Sequence, residues 1–555
     1  LAAQALEATG DGAGATRAWR RLAVDEPDDA HAQEALAALG RLRAGLSPSE
    51  VLDRATELVR RARYTEALTA LEGVPVAPRG PLGARRAHVL GRALYGLRTR
   101  YTEAHAALSE AGRREDNPDR DEDAFLAARS LARADRDDDA IAAFDAVARG
   151  RRGRWADEAA YRAAWLEAHH QRTGRALARL EAFLRERPEA SSRLRVEAAW
   201  EEGWMLYLAR RYPEAAVALD RAGAMATHHL ERGRGRYWAA MARWRAGDLQ
   251  GALRGWQGAI ADRPLTYYAL LSEARLRALG GAVPPVAPPP ERRPTPAVEL
   301  PARASWLRAL GFDREAGGAL LADEDALRAR LPPERADEAL AVAYLSVGEA
   351  RRAFQLSSRH AELLDPLPTT ASRWVWDCGF PRPHAEAVQA AEDDNGMPRQ
   401  YLFAIMRQES AFNAEDVSSA RAIGLLQMIP PTTRRVAQTL NIPFREELLF
   451  EPGYNIRVGG WYIGRLYRQY QAVLPRAIGS FNAGPGAMNR WIGQWDSDEL
   501  DVFVERIPFD ETRNYVKRVL QNLARYRYLH GPYGEAWPLR LSLAGGGTVE
   551  TLVDY

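Results

Sequence analysis

The segment Met397-Pro-Arg-Gln-Tyr-Leu-Phe-Ala-Ile-Met-Arg-Gln-Glu-Ser-Ala-Phe-Asn413 carries an α-helical period. Leu402, Ile405, Met406 and Glu409 fall at i, i+3, i+4 and i+7, the spacing that puts residues on one helix face. The last member of this otherwise apolar stripe is a carboxylic acid. A carboxyl group on a core-facing stripe loses water, which disfavours its charged form and raises its pKa. A raised pKa lets a glutamate donate a proton near neutral pH. The competing reading is structural: Glu409 marks the helix end and swings into solvent, or pairs with an arginine such as Arg407 or Arg434.

Outward from this helix the chain is helical almost throughout. From Leu1 to about Leu279 good helix formers dominate, broken at Gly, Pro and Asp. Arg63-Tyr-Thr-Glu-Ala-Leu68 and Arg211-Tyr-Pro-Glu-Ala-Ala216 repeat one theme at helix starts, with Arg172-Thr-Gly-Arg-Ala-Leu177 and Ala246-Gly-Asp-Leu-Gln-Gly-Ala-Leu253 as looser copies. This recurrence resembles degenerate tetratricopeptide-type hairpins, in which each unit buries its apolar face only by stacking on its neighbours. Such an array either binds protein partners or serves as a scaffold with no ligand of its own; the residues leave both open.

The expected organisation is a superhelical array over 1–283, a proline-rich linker over 284–300 running extended as a spacer, a small helical domain over 301–379, a second α-helical domain over 380–540 and a tail over 541–555. No stretch sustains a two-residue alternation, so the fold class is all-α with few, short strands.

At 555 residues the chain exceeds one compact core. Its 76 basic and 74 acidic side chains nearly cancel, giving a net charge of +2 and no field for steering onto nucleic acid. Lys517 is the only lysine. The single cysteine, Cys378, excludes an intrachain disulfide and a cysteine-built metal site, and no metal or cofactor is expected. No apolar run approaches the ~20 residues of a membrane-spanning helix.

Four strings flank or follow the acid. Glu409-Ser410 ends the helix. Ala422-Ile-Gly-Leu-Leu-Gln-Met-Ile-Pro-Pro431 joins a glycine, an amide and a double proline, which suits backbone wrapping a ligand, and Gln427 offers both donor and acceptors. Ala477-Ile-Gly-Ser-Phe-Asn-Ala-Gly-Pro-Gly486 ends a helix at a Gly-Pro turn, leaving Asn482 free to point into a cleft. Ile507-Pro-Phe-Asp-Glu-Thr-Arg-Asn-Tyr515 opens a long helix that Asp510 or Thr512 can cap, with Glu511 in its first turn. Between them, Gly459 and Gly460 would let a neighbouring helix come close.

Together these strings resemble the soluble lytic murein transglycosylases, a family with a lysozyme-like catalytic domain. The family's Glu-Ser motif matches Glu409-Ser410. Its glycine-glutamine string matches Gly424 to Pro430, its Asn-Ala-Gly-Pro string matches Gly479 to Pro485, and its Ile-Pro-x-x-Glu-Thr-x-x-Tyr-Val string matches Ile507 to Val516. The array, Tyr267-Tyr268 and the small domain are similar to the superhelical and linker domains of the large members. Three positions depart: Phe481 stands where the family has tyrosine, Arg421 where it usually has glycine, and Met428-Ile429 exchange a methionine.

The resemblance implies cleavage of the β-1,4 bond between N-acetylmuramic acid and N-acetylglucosamine in peptidoglycan, with Glu409 as acid and then base, giving 1,6-anhydromuramoyl products. It implies glycan contacts at Ser418, Gln427, Ile429, Phe481, Asn482, Glu511 and Tyr515. It also implies a periplasmic location, with a lipid-bearing N-terminus before Leu1 as one possibility. Two other functions are compatible with the residues. A hydrolytic muramidase would use Glu415, Asp416 or Glu451 as second carboxylate; a catalytically idle scaffold would only grip glycan.

Overall fold

The computed structural model describes residues 1–72, 80–150, 153–494, 499–531, 539 and 541. Apart from residue 541, the expected tail 541–555 lies outside them. The described residues are helical with no strand. Isolated bridges pair Val417 with Ile423 and Ile423 with Met428, in the loop that follows the acid.

The chain divides into two compact units, Leu1–Ala226 and Thr227–Tyr555. In the first, antiparallel helices stack as hairpins, and the repeat is legible in the backbone. Ala62, Asp135, Gln171 and Arg210 have φ of 59°, 56°, 57° and 59°. Each stands two residues before a helix: Tyr64–Glu72, Asp137–Gly150, Thr173–Glu186 and Tyr212–Met225. The arginine of the theme closes the turn by pairing with the glutamate three residues on, Arg63 with Glu66 and Arg211 with Glu214. Arg100-Tyr-Thr-Glu-Ala104 is a further copy with the same pairing, Arg100 to Glu103 at 2.7 Å. The alanine after each glutamate (Ala67, Ala104, Ala215) is fully buried, so its small size sets how close the next helix comes.

The second unit begins inside the expected array. Its helices His229–Arg245 and Tyr267–Ala278 carry buried polar side chains that bond to Leu500–Arg506 and Asp510–His530. Tyr268 donates to Glu505 at 2.6 Å, and Lys517 Nζ, 2% exposed, reaches both Glu505 oxygens at 3.0 and 2.9 Å. Arg275 reaches Asp501 at 2.8 Å, and Tyr237 bonds to the same carboxylate. Buried charges persist only when paired, so this network fixes the four helices in one register.

The proline-rich stretch contains no helix, but it is a strap rather than a free spacer. Arg292 pairs with Asp377 at 2.5 Å, Arg293 with Glu338 at 2.5 Å, and Arg373 donates to the Pro290 carbonyl at 2.8 Å. In the C-terminal domain, Tyr401–Glu409 is the central helix, with residues 401–406 at most 4% exposed. It packs beside Asp510–His530, whose Val516, Val519, Leu520 and Leu523 are fully buried. A Cβ on Gly460 would lie 3.0 Å from Ala391 and 3.3 Å from Leu402, the close helix approach read from the sequence; Gly459 instead admits Leu426 of the loop.

Candidate active site

Glu409 is the last residue of its helix and half-buried, while Leu402, Ile405 and Met406 on the same stripe are fully buried. Its Oε1 accepts the Tyr515 hydroxyl at 2.5 Å. Burial pushes its carboxyl up to about 7; the Tyr515 hydroxyl pulls the other way and the negative Glu511 adds to the rise. Tyr515, 6% exposed, is itself held well above the usual phenol range by burial and by the Glu409 charge, so it remains a donor.

Neither arginine of the structural reading pairs with the acid. Arg407 turns away, donating to the Gly379 carbonyl at 2.8 Å and Asn522 at 3.1 Å, with its guanidinium 4.3 Å from the Phe380 ring centre. Arg434 lies over Phe444. Among the described residues, no basic side chain forms an ion pair with Glu409.

Directly after the acid the chain reverses through Ala411 and Phe412, both left-handed at φ 48° and 66°. Phe412 is 5% exposed and meets Phe354 edge-on. Ser410 ties the helix end to the glycine-amide loop, donating to the Leu425 carbonyl at 2.9 Å. Gln427, itself at φ 45°, donates its amide to the Gly424 and Asp416 carbonyls at 3.0 and 3.2 Å. Gly424 is required twice over: its φ is 80°, and a Cβ would lie 2.4 Å from both Asn455 Nδ2 and the Leu449 carbonyl.

Asn455 is the residue the sequence reading missed. Fully buried, it accepts from Leu426 N–H at 2.9 Å and donates to the Ile423 and Leu449 carbonyls at 3.0 and 2.8 Å. It is the member that shapes the loop. The available signal was an asparagine in the apolar run Ile456, Val458, Gly459, Gly460.

The remaining candidates divide. Asn482 is not free: its Oδ1 accepts the Thr512 hydroxyl at 2.6 Å, which fastens the Asn-Ala-Gly turn to the first turn of Asp510–His530. For the same reason Thr512 does not cap that helix. Asp510 pairs with Arg513, and the N-cap is Phe509 with no side-chain bond. Glu511 is exposed in that first turn. Phe481 is half-buried with its ring 6.2 Å from Tyr462. Ser418 braces the loop by accepting from Ala422 N–H at 3.0 Å. Ile429 is 43% exposed at the start of Pro430–Thr439. Of the carboxylates considered for water activation, Glu415 is paired with Arg314 on the surface.

A half-buried acid with a phenolic partner and, among the described residues, no ion-pair partner stands beside a loop of shaped backbone in an all-α domain, an arrangement chemically suited to proton transfer. Residues 386–503 match the family model described as the Transglycosylase SLT domain, and residues 506–532 match the soluble lytic transglycosylase helical domain. The C-terminal domain is thus similar to the lytic transglycosylase SLT domain family.

The chain is 36% identical over 172 residues to the soluble lytic murein transglycosylase of Escherichia coli K12, covering 30% of this chain and 26% of that protein. The stretch matched thus spans about a quarter of that relative. It is 31% identical over 161 residues to a membrane-bound lytic murein transglycosylase C of Actinobacillus pleuropneumoniae, 24% of this chain and 42% of that one. Among solved structures, the soluble lytic transglycosylase Slt70 of Escherichia coli aligns with a TM-score of 0.60 at 19% identity, over 95% of this chain and 80% of that one. A complex of a 70-kDa soluble lytic transglycosylase with bulgecin A aligns at 0.63 and 19%, with the same coverage. These likenesses extend the fold agreement through both units.

Proposed function

We propose that this protein is a peptidoglycan lytic transglycosylase. The observation that carries this reading is the single acid, Glu409, held near neutral pKa by burial and oriented by one phenolic donor. Cleaving a glycosidic bond requires a proton on the leaving oxygen and stabilisation of an oxocarbenium-like carbon. Protonated Glu409 gives its proton to the oxygen bridging N-acetylmuramic acid and N-acetylglucosamine, and the C1–O bond breaks. The substrate's own acetamido group supports the electron-poor carbon. Glu409, now a carboxylate and still hydrogen-bonded to Tyr515, removes the proton of the muramoyl C6 hydroxyl, whose oxygen bonds to C1 and closes the 1,6-anhydro ring. The acid ends as it began, and no water is consumed.

Gln427, Asn482 and the loop shaped by Asn455 are read as holding the sugar, with Ser418, Ile429, Phe481, Glu511 and Tyr515 as further contacts. The names of the matched relatives support murein as substrate, and acting on murein places the protein in the bacterial periplasm. Among the described residues no helix is long and apolar enough to cross a membrane. The helical array is proposed as a surface for protein partners.

The test is mass analysis of muropeptides released from purified sacculi by wild type and Glu409→Gln. Products lighter by one water than hydrolysed ones, absent with the variant, are expected. Hydrated products would replace this reading with a muramidase, and a variant that lyses normally would remove Glu409 from the chemistry.

A further inference from the structure

The helix that carries the acid starts in an unusual way. Its N-cap residue, Gln400, is a non-glycine at φ 70°, is 8% exposed, and leaves its own amide oxygen without a partner. It makes no side-chain cap, so the first N–H groups of the helix need an acceptor from elsewhere. Glu392, 2% exposed on the preceding helix Ala385–Asp394, supplies it. One carboxylate oxygen accepts from Gln400 N–H at 2.9 Å and the other from Leu402 N–H at 3.0 Å. The Glu392 backbone carbonyl takes a third, from Met397 N–H at 2.9 Å. Among the described residues no basic side chain forms an ion pair with Glu392; the neighbouring Arg399 pairs with Asp393 instead. Burial pushes the Glu392 carboxyl up to about 7, the two N–H bonds and the nearby positive Arg399 pulling the other way, so the start of this helix is held by a buried acid through hydrogen bonds rather than an ion pair.

We propose that Glu392 is a positioning residue for Glu409, fixing the strained start of the helix whose last residue is the acid. The helix is nine residues long, about 13.5 Å at 1.5 Å per residue. Residues 401–406 are packed on every side, so the helix moves as a rod. Displacing or turning its start displaces the carboxyl at its end relative to Tyr515. This inference rests on the assignment of Glu409 as the acid.

Two variants separate acceptor chemistry from reach. Glu392→Gln keeps one carbonyl acceptor but turns an NH2 against the second N–H; Glu392→Asp keeps both carboxyl oxygens one methylene short. With Glu392→Gln, kcat on sacculi should fall about 100-fold, the scale of a 1 Å misplacement, with KM nearly unchanged and the folded fraction by circular dichroism intact. Glu392→Asp should fall less.

In the resting protein, the protonated-carboxyl infrared band that disappears in Glu409→Gln reports Glu409 directly. In Glu392→Gln its titration midpoint should drop from about 7 toward the ordinary carboxylate range, because a loosened helix end admits water. That shift supports the proposal even if the wild type proves not to be lytic, so the two readings fail separately. A wild-type midpoint and kcat in both variants, or a loss of kcat that only follows a loss of folded protein, would overturn it.

Discussion

The Tyr515 hydroxyl donates to Glu409 Oε1 at 2.5 Å, joining side chains 106 positions apart in the sequence. This bond opposes the effect of burial on the acid, so the acid's working pKa is a balance between the two.

Removing the phenol shifts that balance in a known direction. Because the bond lowers the Glu409 pKa, Tyr515→Phe raises it, and the basic limb of the rate profile moves to higher pH. Activity that needs the protonated acid is full below the limb and is lost as pH rises through it. The freed carboxyl loses orientation as well, so kcat should fall about tenfold or more. A pH–kcat profile on soluble muroglycan decides it; a limb moving to lower pH would contradict the account.

Glu511 acts with the opposite sign. Its charge raises the Glu409 pKa through space, so Glu511→Gln should move the same limb to lower pH, and more so at low salt. If Glu511 also holds substrate, KM rises in addition; profiles at two ionic strengths separate the effects.

Asn455 predicts a stability cost. Asn455→Ala removes the partner of the Leu426 N–H and of the Leu449 carbonyl in the interior, while the Ile423 carbonyl keeps its bond from Met428 N–H, a loss of about 2 kcal/mol or more at 1–3 kcal/mol per group. Urea unfolding should show it, with activity lost at urea concentrations where the wild type is native. A transition unchanged from wild type would mean the loop does not depend on this side chain.

Lys517 is the only lysine, and it is buried against Glu505 and Tyr268. Lys517→Met strands the Glu505 charge and should cost about 3–5 kcal/mol. The double variant Glu505→Leu/Lys517→Met should recover most of it, since an apolar pair of similar volume replaces a desolvated ion pair at little cost. Equal losses in single and double variants would show that the charge pair is not the source.

Much of the site was legible because it rests on local patterns. The i, i+3, i+4, i+7 stripe placed Glu409 against the core, and the four strings near it marked the loop and turns that surround it. What failed in the reading failed for one reason. Asn482 and Thr512 looked like a free ligand and a helix cap, yet each is the other's partner. Asn455 drew no reading at all, yet it organises a loop 29 residues before it. The proline-rich stretch looked like a spacer because its arginines gave no hint that Asp377 and Glu338 would receive them.

The sequence by itself determined the helices, the repeat of the array and the place of Glu409 on a core-facing stripe, since periodicity and turn chemistry act over a few residues. Tertiary structure alone decided the burial of Glu409, its phenolic partner and the buried Lys517–Glu505 pair. Desolvation and hydrogen bonding between distant side chains arise only once the chain has closed around them.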